Sequence, residues 1–366
     1  MRRRTSISDI MPGLLALAGG ALLLSGIIRQ RRRMSFRGAS VVITGGSRGL
    51  GLEMARLFAR EGARLTLLAR DQGELERARR ELISLGGYVL VHACDIRNAD
   101  EVDRVVDLIV TERGRIDVLI NNAGVMQVGP FENMTGEDFR ESLDVHVWGP
   151  LSLIRAVTPV MQMQGCGRIV NISSIGGVVA VPHLIPYSTG KFALTGLSDG
   201  VRAELAKDGI LVTTVLPGLM RTGSHVNAQY KGQHKKEFRW FATLLGIPLF
   251  SINAERAARR VVEACRYGEA AVTLGMSARL LKAMNAQLPG LTAVLARLAA
   301  RILPSPDAVK GSAGRTGWDS ASAVPSFLTR TADQAIARNN EAGTRNGAGE
   351  ERKKADTYEQ IRMKTG

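Results

Sequence analysis

The sequence between residues 38 and 275 alternates short apolar runs with longer stretches of helical periodicity. The apolar runs predict strands at 40–44, 64–69, 88–93, 117–120, 168–172, 211–216 and 270–274. The periodic stretches predict helices at 52–60, 74–85, 98–113 and 254–267. Repeated alternation of strand and helix favours parallel βαβ units. The pattern therefore predicts one α/β domain over residues 38–275.

A second pattern lies at the N-terminus, where an uncharged apolar run covers residues 10–28. At ~1.5 Å per helical residue, a run of this length spans about the ~30 Å hydrocarbon core of a bilayer. Residues 1–9 and 29–37 on either side are basic. A secretory signal peptide is the competing interpretation, but no small-residue cleavage site follows the run. We therefore expect a single-pass membrane anchor, with the folded domain in the cytoplasm because the C-terminal flank is slightly more basic.

Two segments follow the domain. Residues 276–303 carry a pair of amphipathic helical patterns that are interrupted at Pro289-Gly290. Three roles are open for this helical extension: it lies on a membrane, joins subunits of a homo-oligomer or packs on the core. Residues 304–366 are rich in small, polar and charged residues and contain few large apolar ones, so we expect a largely disordered tail.

Composition narrows the function classes. The 366 residues carry a formal net charge of +15, and 45% of them are hydrophobic, which suffices for a sizeable core. Much of the positive charge flanks the apolar run, which favours a membrane explanation over nucleic-acid binding. Cys94, Cys166 and Cys265 are too widely spaced for a disulfide framework or a metal cluster, so we expect reduced thiols and no metal.

A glycine-rich segment follows the first predicted strand directly. It reads Gly45-Gly46-Ser47-Arg48-Gly49-Leu50-Gly51. Glycines in such a turn let the backbone approach a pyrophosphate, whose charge meets the N-terminus of the following helix. Strand, glycine turn and helix in this order predict a dinucleotide-binding site.

Acid–base chemistry is indicated by Tyr187 and Lys191, which are four residues apart and share one face of a helix. An ammonium group beside a phenol favours the phenolate, so we expect Lys191 to lower the pKa of Tyr187 and make it a general acid or base near neutral pH. Ser174 follows the predicted strand 168–172, where its hydroxyl could hydrogen-bond a substrate carbonyl. By itself this Tyr–Lys spacing is more often a surface pair.

The glycine turn, Asn121-Asn122-Ala123-Gly124 and the set Ser174, Tyr187 and Lys191 together resemble the short-chain dehydrogenase/reductase family over residues 38–275. The resemblance implies a Rossmann-type, doubly wound parallel sheet of about seven strands. It also implies binding of NAD(H) or NADP(H) and reversible hydride transfer between an alcohol and a ketone or aldehyde. The cofactor-binding residues that it implies are Thr44, Gly45, Ser47, Arg48, Gly49, Leu50, Gly51, Arg70, Asp95, Ile96, Asn122, Ala123, Gly124, Tyr187, Lys191, Pro217, Gly218 and Thr222.

The choice between the two nicotinamide cofactors depends on the end of the second strand. An NAD-binding site places an acidic residue there for the ribose hydroxyls, whereas this chain has Ala69 followed by Arg70. Arg48 in the glycine turn and Arg70 could both reach a 2′-phosphate, which favours NADP(H). The competing interpretation makes both arginines solvated surface residues, and Asp71 lies close enough to favour NAD(H).

One position departs from the family pattern. His146 stands where the family commonly has an Asn that holds a water connecting the active-site Lys to solvent. A neutral His can also bind water and titrates near neutrality, so His146 is a candidate member of the proton relay. A buried His that is satisfied by its own helix, without a kinetic role, is an equally good interpretation.

Residues 223–252 correspond to the segment that usually covers the substrate in this family. They change from basic (Lys231, His234, Lys235, Lys236 and Arg239) to apolar after Trp240. We expect a lid suited to a lipophilic substrate such as a retinoid, a sterol, a long-chain ketone or a 3-oxoacyl group, entering from a bilayer. A packed lid with a solvated charged edge is the alternative.

These observations predict a membrane-anchored, NADP(H)-dependent oxidoreductase in which Tyr187 is the acid or base. The alternative of a different class is a non-catalytic, cofactor-binding membrane scaffold with the same fold. Intact Ser174, Tyr187 and Lys191 speak against the scaffold, and the substitution at His146 keeps it open.

Overall fold

The computed structural model describes residues 26–247, 249–307, 311–321, 324, 334, 336 and 338–341. Its centre is a sheet of seven parallel strands, which are β1 (Ser40–Thr44), β2 (Arg64–Ala69), β3 (Tyr88–Ala93), β4 (Val118–Asn121), β5 (Gly167–Ile172), β6 (Ile210–Pro217) and β7 (Ala271–Leu274). Their order in the sheet is β7-β6-β5-β4-β1-β2-β3. The predicted Rossmann-type parallel sheet of seven strands is confirmed.

Ten helices of eight residues or more belong to the described part of the chain. They are α1 (Gly49–Arg60), α2 (Gln72–Ser84), α3 (Ala99–Arg113), α4 (Gly136–Leu143), α5 (Gly149–Gln164), α6 (Ile185–Leu205), α7 (His234–Gly246), α8 (Ala254–Tyr267), α9 (Met276–Gln287) and α10 (Pro289–Ile302). Single helical turns occur at Phe131–Asn133, Asp144–Trp148, Ile175–Gly177, Ala206–Asp208, Ser224–Asn227 and Gly317–Ser320. The turn Asp144–Trp148 is π-helical and joins α4 to α5.

The sheet is covered on both faces because its strands are apolar at consecutive positions. Val41 and Ile43 of β1 belong to one apolar cluster, which includes residues of α1, α2 and α8. Val42, between them, belongs to the opposite cluster, which includes residues of α3 and α5. Side chains of a strand alternate between the two faces, so a continuous apolar run is what a doubly covered parallel strand requires.

A third apolar cluster lies beyond the carboxyl-terminal edge of the sheet. It is formed largely by α7 and includes the buried residues Tyr230, Phe238, Phe241 and Leu245. Short paired strands frame this region: Leu219–Arg221 with Ser251–Asn253, and Gln127–Val128 with Gln229–Tyr230 and Arg315–Thr316. The predicted lid, residues 223–252, is therefore an ordered helical unit wherever the structure describes it.

Parts of the predicted disordered tail pack on the domain. Residues 315–316 pair with strand 229–230, and Thr316 and Asp319 form a capping box for the turn Gly317–Ser320. Ile336 is buried in the third apolar cluster, and residues 338–341 lie against the glycine turn.

The structure corrects the predicted localisation. Among the described residues, no helix is both long and apolar enough to cross a bilayer. Residues 26–31 form a short helix whose Arg29 lies over the ring of Tyr267, 3.7 Å from its centroid, and 3.6 Å from the Glu269 carboxylate. Arg29, the first residue of the basic segment after the expected anchor, thus packs on the domain, and the prediction of a single-pass N-terminal membrane anchor is wrong for the residues that the structure describes. Residues 10–25 of that run lie outside the described residues.

Candidate active site

The carboxyl-terminal ends of the central strands open into one cavity of about 1070 Å³. Strand order reverses between β1 and β4, and a sheet of this kind leaves a crevice at such a reversal. All predicted site residues line this cavity except Thr44 and Gly51, which support its wall from behind. The topology therefore brings together residues from eight separate segments of the sequence.

The glycine turn is shaped by close approach of backbone to backbone. Gly45 has a φ of +61°, and a Cβ atom at Gly51 would collide with the carbonyl oxygen of Gly45. Asn122 fastens the turn from the next strand, because its Nδ2 donates to the carbonyl oxygens of Thr44 (3.0 Å) and Gly45 (3.1 Å). The Thr44 hydroxyl accepts from the backbone N–H groups of Asn122 (2.9 Å) and Ala123 (3.1 Å). The result is a tightly held glycine turn at the N-terminus of α1, whose close backbone approach fits a dinucleotide diphosphate.

The far end of the cavity carries the charged residues that were predicted to face the adenosine. Arg48 donates to Glu74 Oε1 (3.1 Å), so its guanidinium already has a buried carboxylate partner. Arg70 lines the cavity, is exposed and has no hydrogen bond or ion pair with any residue that the structure describes. Asp95 pairs with Arg97, and this hydrogen bond, opposed by burial, lowers the pKa of Asp95.

Ser174 and Tyr187 occupy the other end of the cavity, above β5. Ser174 is largely buried, and its Oγ accepts a hydrogen bond from the backbone N–H of Gly176 (3.0 Å). Burial raises the pKa of Tyr187, and a hydrogen bond with Ser174 offsets part of that rise. Tyr187 is therefore a protonated phenol at neutral pH, which corrects the prediction of a lowered pKa.

The environment of Lys191 explains why the pKa of Tyr187 is not lowered as predicted. Its Nζ donates to the carbonyl oxygen of Ile172 (2.8 Å) and lies 5.7 Å from the centre of the Tyr187 ring. Burial lowers the pKa of Lys191 to about 7, so near neutrality the amine carries only part of a positive charge. A partly charged amine stabilises the Tyr187 phenolate only weakly, so the effect of burial determines the direction of the Tyr187 pKa shift.

His146 is fully buried in the π-helical turn before α5. The backbone N–H of Val125 donates to its Nε2 (3.3 Å), which assigns the ring proton to Nδ1. Nδ1 lies 3.2 Å from Ser142 Oγ, whose own hydrogen goes to the carbonyl oxygen of Pro186 (2.7 Å). Both ring nitrogens thus have protein partners, and burial, assisted by Lys191, lowers the pKa of His146 well below its usual range. This arrangement favours the interpretation of His146 as a structural residue, and its part in a proton relay stays a prediction.

A His146→Asn substitution separates the two interpretations. We expect the dependence of kcat on pH between about 5.5 and 8 to stay unchanged, because a buried, neutral His does not titrate in that range. We also expect a lower melting temperature, since Asn cannot reach both Val125 and Ser142. Measuring kcat at each pH for variant and wild type is the test, and a displaced pH profile would place His146 in the relay.

Apolar side chains form the substrate end of the cavity. Those from the lid and the adjoining loops are Leu184, Met220, Trp240, Phe241, Leu245 and Phe250. The basic residues of the lid divide in the structure: Lys235, Lys236 and Arg239 are exposed, whereas Lys231 is buried and its Nζ lies 2.7 Å from Asp138 Oδ2. The cavity therefore offers an apolar compartment next to Tyr187.

A buried carboxylate holds this compartment together. Glu237 on α7 is 0% exposed and accepts from the Trp240 Nε1–H (2.7 Å). Its two oxygens lie 3.0 Å from Nδ1 of His183, which sits in the loop between Ser174 and Tyr187. His183 takes a positive φ of 62° to reach this position. One carboxylate thus connects α7 with the loop between Ser174 and Tyr187.

The polar residues of the cavity wall that were missed from the sequence include Glu74, Asn227 and Glu341. Glu74 could have been suspected, because an acid three residues after Asp71 suits the first turn of a helix and lies near the glycine turn. Asn227 contacts Arg48 Nη1 at 3.4 Å. No local signal points to Glu341, which enters the site from the far C-terminal segment.

Comparison with known proteins agrees with this geometry. Residues 39–232 match the family model described as short chain dehydrogenase. A dehydrogenase/reductase SDR family protein 7-like of Anopheles gambiae is 36% identical over 221 residues, which are 58% of this chain and 69% of that protein.

Two solved structures are similar over 66% of this chain. A metagenomic short-chain oxidoreductase in complex with NADP is 29% identical, with a TM-score of 0.54 over 98% of its own chain. The L-sorbose reductase of Gluconobacter frateurii, complexed with NADPH and L-sorbose, is 28% identical, with a TM-score of 0.60 over 97% of its chain.

Proposed function

Because this chain belongs to the short chain dehydrogenase family of oxidoreductases, we propose that it interconverts a ketone or aldehyde and an alcohol with NADP(H). The observation that carries the proposal is the position of Ser174, Tyr187 and Lys191 in the same cavity as the glycine turn, beside an apolar compartment. The family supports a small-molecule carbonyl or alcohol as substrate, and the finer assignments below are ours.

The residues of the chain have separate tasks in this proposal. The glycine turn, Asn122 and the segment around Thr222 hold the cofactor, which when bound supplies or accepts a hydride. Ser174 orients the substrate oxygen through a hydrogen bond. Tyr187 gives that oxygen its proton in the direction of reduction, a task for which a protonated phenol is the right form. Lys191 lies beside Tyr187, and its protonation state sets the charge next to the phenol.

Preference for NADP(H) is supported by the positive charges of Arg48 and Arg70 and by the lack of an acidic residue at the end of β2. Ala69 leaves the end of β2 without the carboxylate that ribose hydroxyls would use. Arg70 is exposed and has no ion-pair partner among the described residues, so its guanidinium is available to a 2′-phosphate. Arg48 would have to bind the phosphate while it also pairs with Glu74. Both similar solved structures hold NADP or NADPH, which is in keeping with this choice.

The substrate is proposed to be lipophilic, of the retinoid, sterol, long-chain or 3-oxoacyl type. The support is the apolar lining contributed by Trp240, Phe241 and Phe250. A polyhydroxylated substrate would leave hydroxyl groups without partners against these side chains, at a cost of roughly 1–3 kcal/mol for each.

The test is oxidation of NADPH and of NADH by the purified full chain with a panel of carbonyl compounds. The panel holds retinal, a 3-ketosteroid, a long-chain ketone, a 3-oxoacyl thioester and L-sorbose as the polar comparison. We expect turnover of at least one apolar member, with a kcat/KM for NADPH about tenfold or more above that for NADH. Cofactor binding without turnover of any member would favour a cofactor-binding scaffold, and preference for NADH would overturn the cofactor assignment.

A further inference from the structure

The chain returns to the glycine turn with residues 338–341, which we call the strap. The backbone N–H of Gly49 donates to the Asn339 carbonyl oxygen at 3.0 Å. Arg56 of α1 donates to Asn339 Oδ1 (2.9 Å) and to the Arg338 carbonyl oxygen (2.7 Å). Asn339 is 0% exposed. The strap is therefore attached to the helix whose N-terminus lies in the glycine turn.

Asn340 fixes the direction of the strap. It has a φ of 55°, a left-handed conformation that Asn tolerates better than other residues with side chains. Its Nδ2 donates to the carbonyl oxygens of Ser47 (2.9 Å) and Glu74 (3.1 Å), and its Oδ1 accepts from Arg77 Nε (2.8 Å). These bonds turn the chain so that the next side chain enters the cavity.

That side chain is Glu341, which is 5% exposed and belongs to the cavity wall. Its Oε2 accepts from the backbone N–H of Gly223 (2.6 Å), and its Oε1 would lie 2.9 Å from a Cβ atom at Gly49. The carboxylate therefore bridges the glycine turn and the segment that follows Thr222. These are the two segments that the proposed function assigns to the cofactor. The Gly49 N–H donates to the Asn339 carbonyl oxygen and the Gly223 N–H donates to Glu341, so the strap occupies backbone donors of the kind that a diphosphate uses.

We propose that Glu341 is an intramolecular competitor of the cofactor, occupying the anion position between Gly49 and Gly223 that the diphosphate would take. The inference rests on the proposed function. Two anionic groups at one set of donors repel each other, so cofactor binding has to displace the strap or neutralise its carboxylate. Burial, aided by the negative charges of Glu74 and Glu53 and opposed by the Gly223 N–H and Arg48, raises the pKa of Glu341 to about 7, so the ionised carboxylate is destabilised at this position.

The test is the dissociation constant of NADPH for the purified full chain, measured by calorimetry without any substrate. We expect Glu341→Gln to bind NADPH about tenfold more tightly than the wild type, because a neutral side chain neither repels the diphosphate nor competes with it as an anion for the same donors. Asn340→Ala, which releases the strap without changing its charge, is also expected to lower the dissociation constant of NADPH. Glu132→Gln is the matched control, since Glu132 is exposed and does not line the cavity.

A second readout follows the strap itself. Hydrogen–deuterium exchange at the amides of residues 339–341 of the wild type should become faster when NADPH is added. A wild type that binds NADPH as tightly as Glu341→Gln, with unchanged exchange at the strap, would overturn the inference and leave the proposed function intact. If neither protein binds NADPH or NADH, the proposed function fails and the inference fails with it.

Discussion

Replacing Tyr187 by Phe is expected to lower kcat by about 10³-fold, within the range that positioned general acids contribute. The substitution removes one hydroxyl and keeps the ring, which packs against His146 at 5.5 Å between ring centroids. Stability should change little, because the ring keeps its packing. NADPH affinity should stay within about twofold of the wild type, since a lost acid affects the reaction step rather than the ground-state complex.

The measurement is single-turnover kinetics with the best substrate of the panel, together with calorimetric NADPH binding. Tyr88→Phe is the matched control: Tyr88 is 72% exposed at the start of β3, and its substitution should leave both quantities unchanged. Wild-type turnover by Tyr187→Phe would remove Tyr187 from the reaction. Loss of NADPH binding would instead assign the hydroxyl to the cofactor site.

Replacing Arg70 by Asp is expected to reverse the cofactor preference. The change removes the unpaired cation that faces the proposed 2′-phosphate and supplies the carboxylate that ribose hydroxyls use. One charge-assisted hydrogen bond contributes roughly 1.5–3 kcal/mol, so kcat/KM for NADPH should fall by about 10- to 100-fold. The value for NADH should rise.

Initial rates with both cofactors, at one fixed carbonyl concentration, measure this reversal. Arg155→Asp makes the same change of charge on the exposed face of α5 and outside the cavity, so its cofactor ratio should equal that of the wild type. An Arg70→Asp variant that keeps the wild-type ratio would show that Arg70 is only a surface residue, and the assignment of NADP(H) would then lose its main support.

Local patterns carried most of the fold. The strand–glycine–helix sequence from Ser40 to Arg60 was predictable because each of its parts depends on neighbouring residues only. The positions of Ser174, Tyr187 and Lys191, the proposed catalytic set, were predictable for a similar reason: Ser174 follows one strand closely, and Tyr187 and Lys191 share one helical face. Short-range spacing encodes these positions directly.

Burial and distant contacts were not predictable in the same way. The pKa of Tyr187 depends on how completely the folded chain removes water, which the spacing to Lys191 does not express. Asn339 meets Arg56 across a separation of 283 residues in a segment whose composition resembles a disordered tail. The sequence indicated that Lys231 is a surface charge, whereas in the structure its buried ammonium group pairs with Asp138. Each miss concerns a partner that only the tertiary structure identifies.

The Glu237 carboxylate has a consequence for how the substrate compartment can open. It accepts from Trp240 on the lid and pairs with His183 on the loop that precedes Tyr187. A bulky substrate that displaces the Trp240 indole would also displace the His183 imidazole, because the buried Glu237 carboxylate loses free energy when it loses either partner. The width of the entrance and the orientation of the Tyr187 side chain are thus coupled through Glu237, so that the size of a substrate would affect the position of the proposed proton donor.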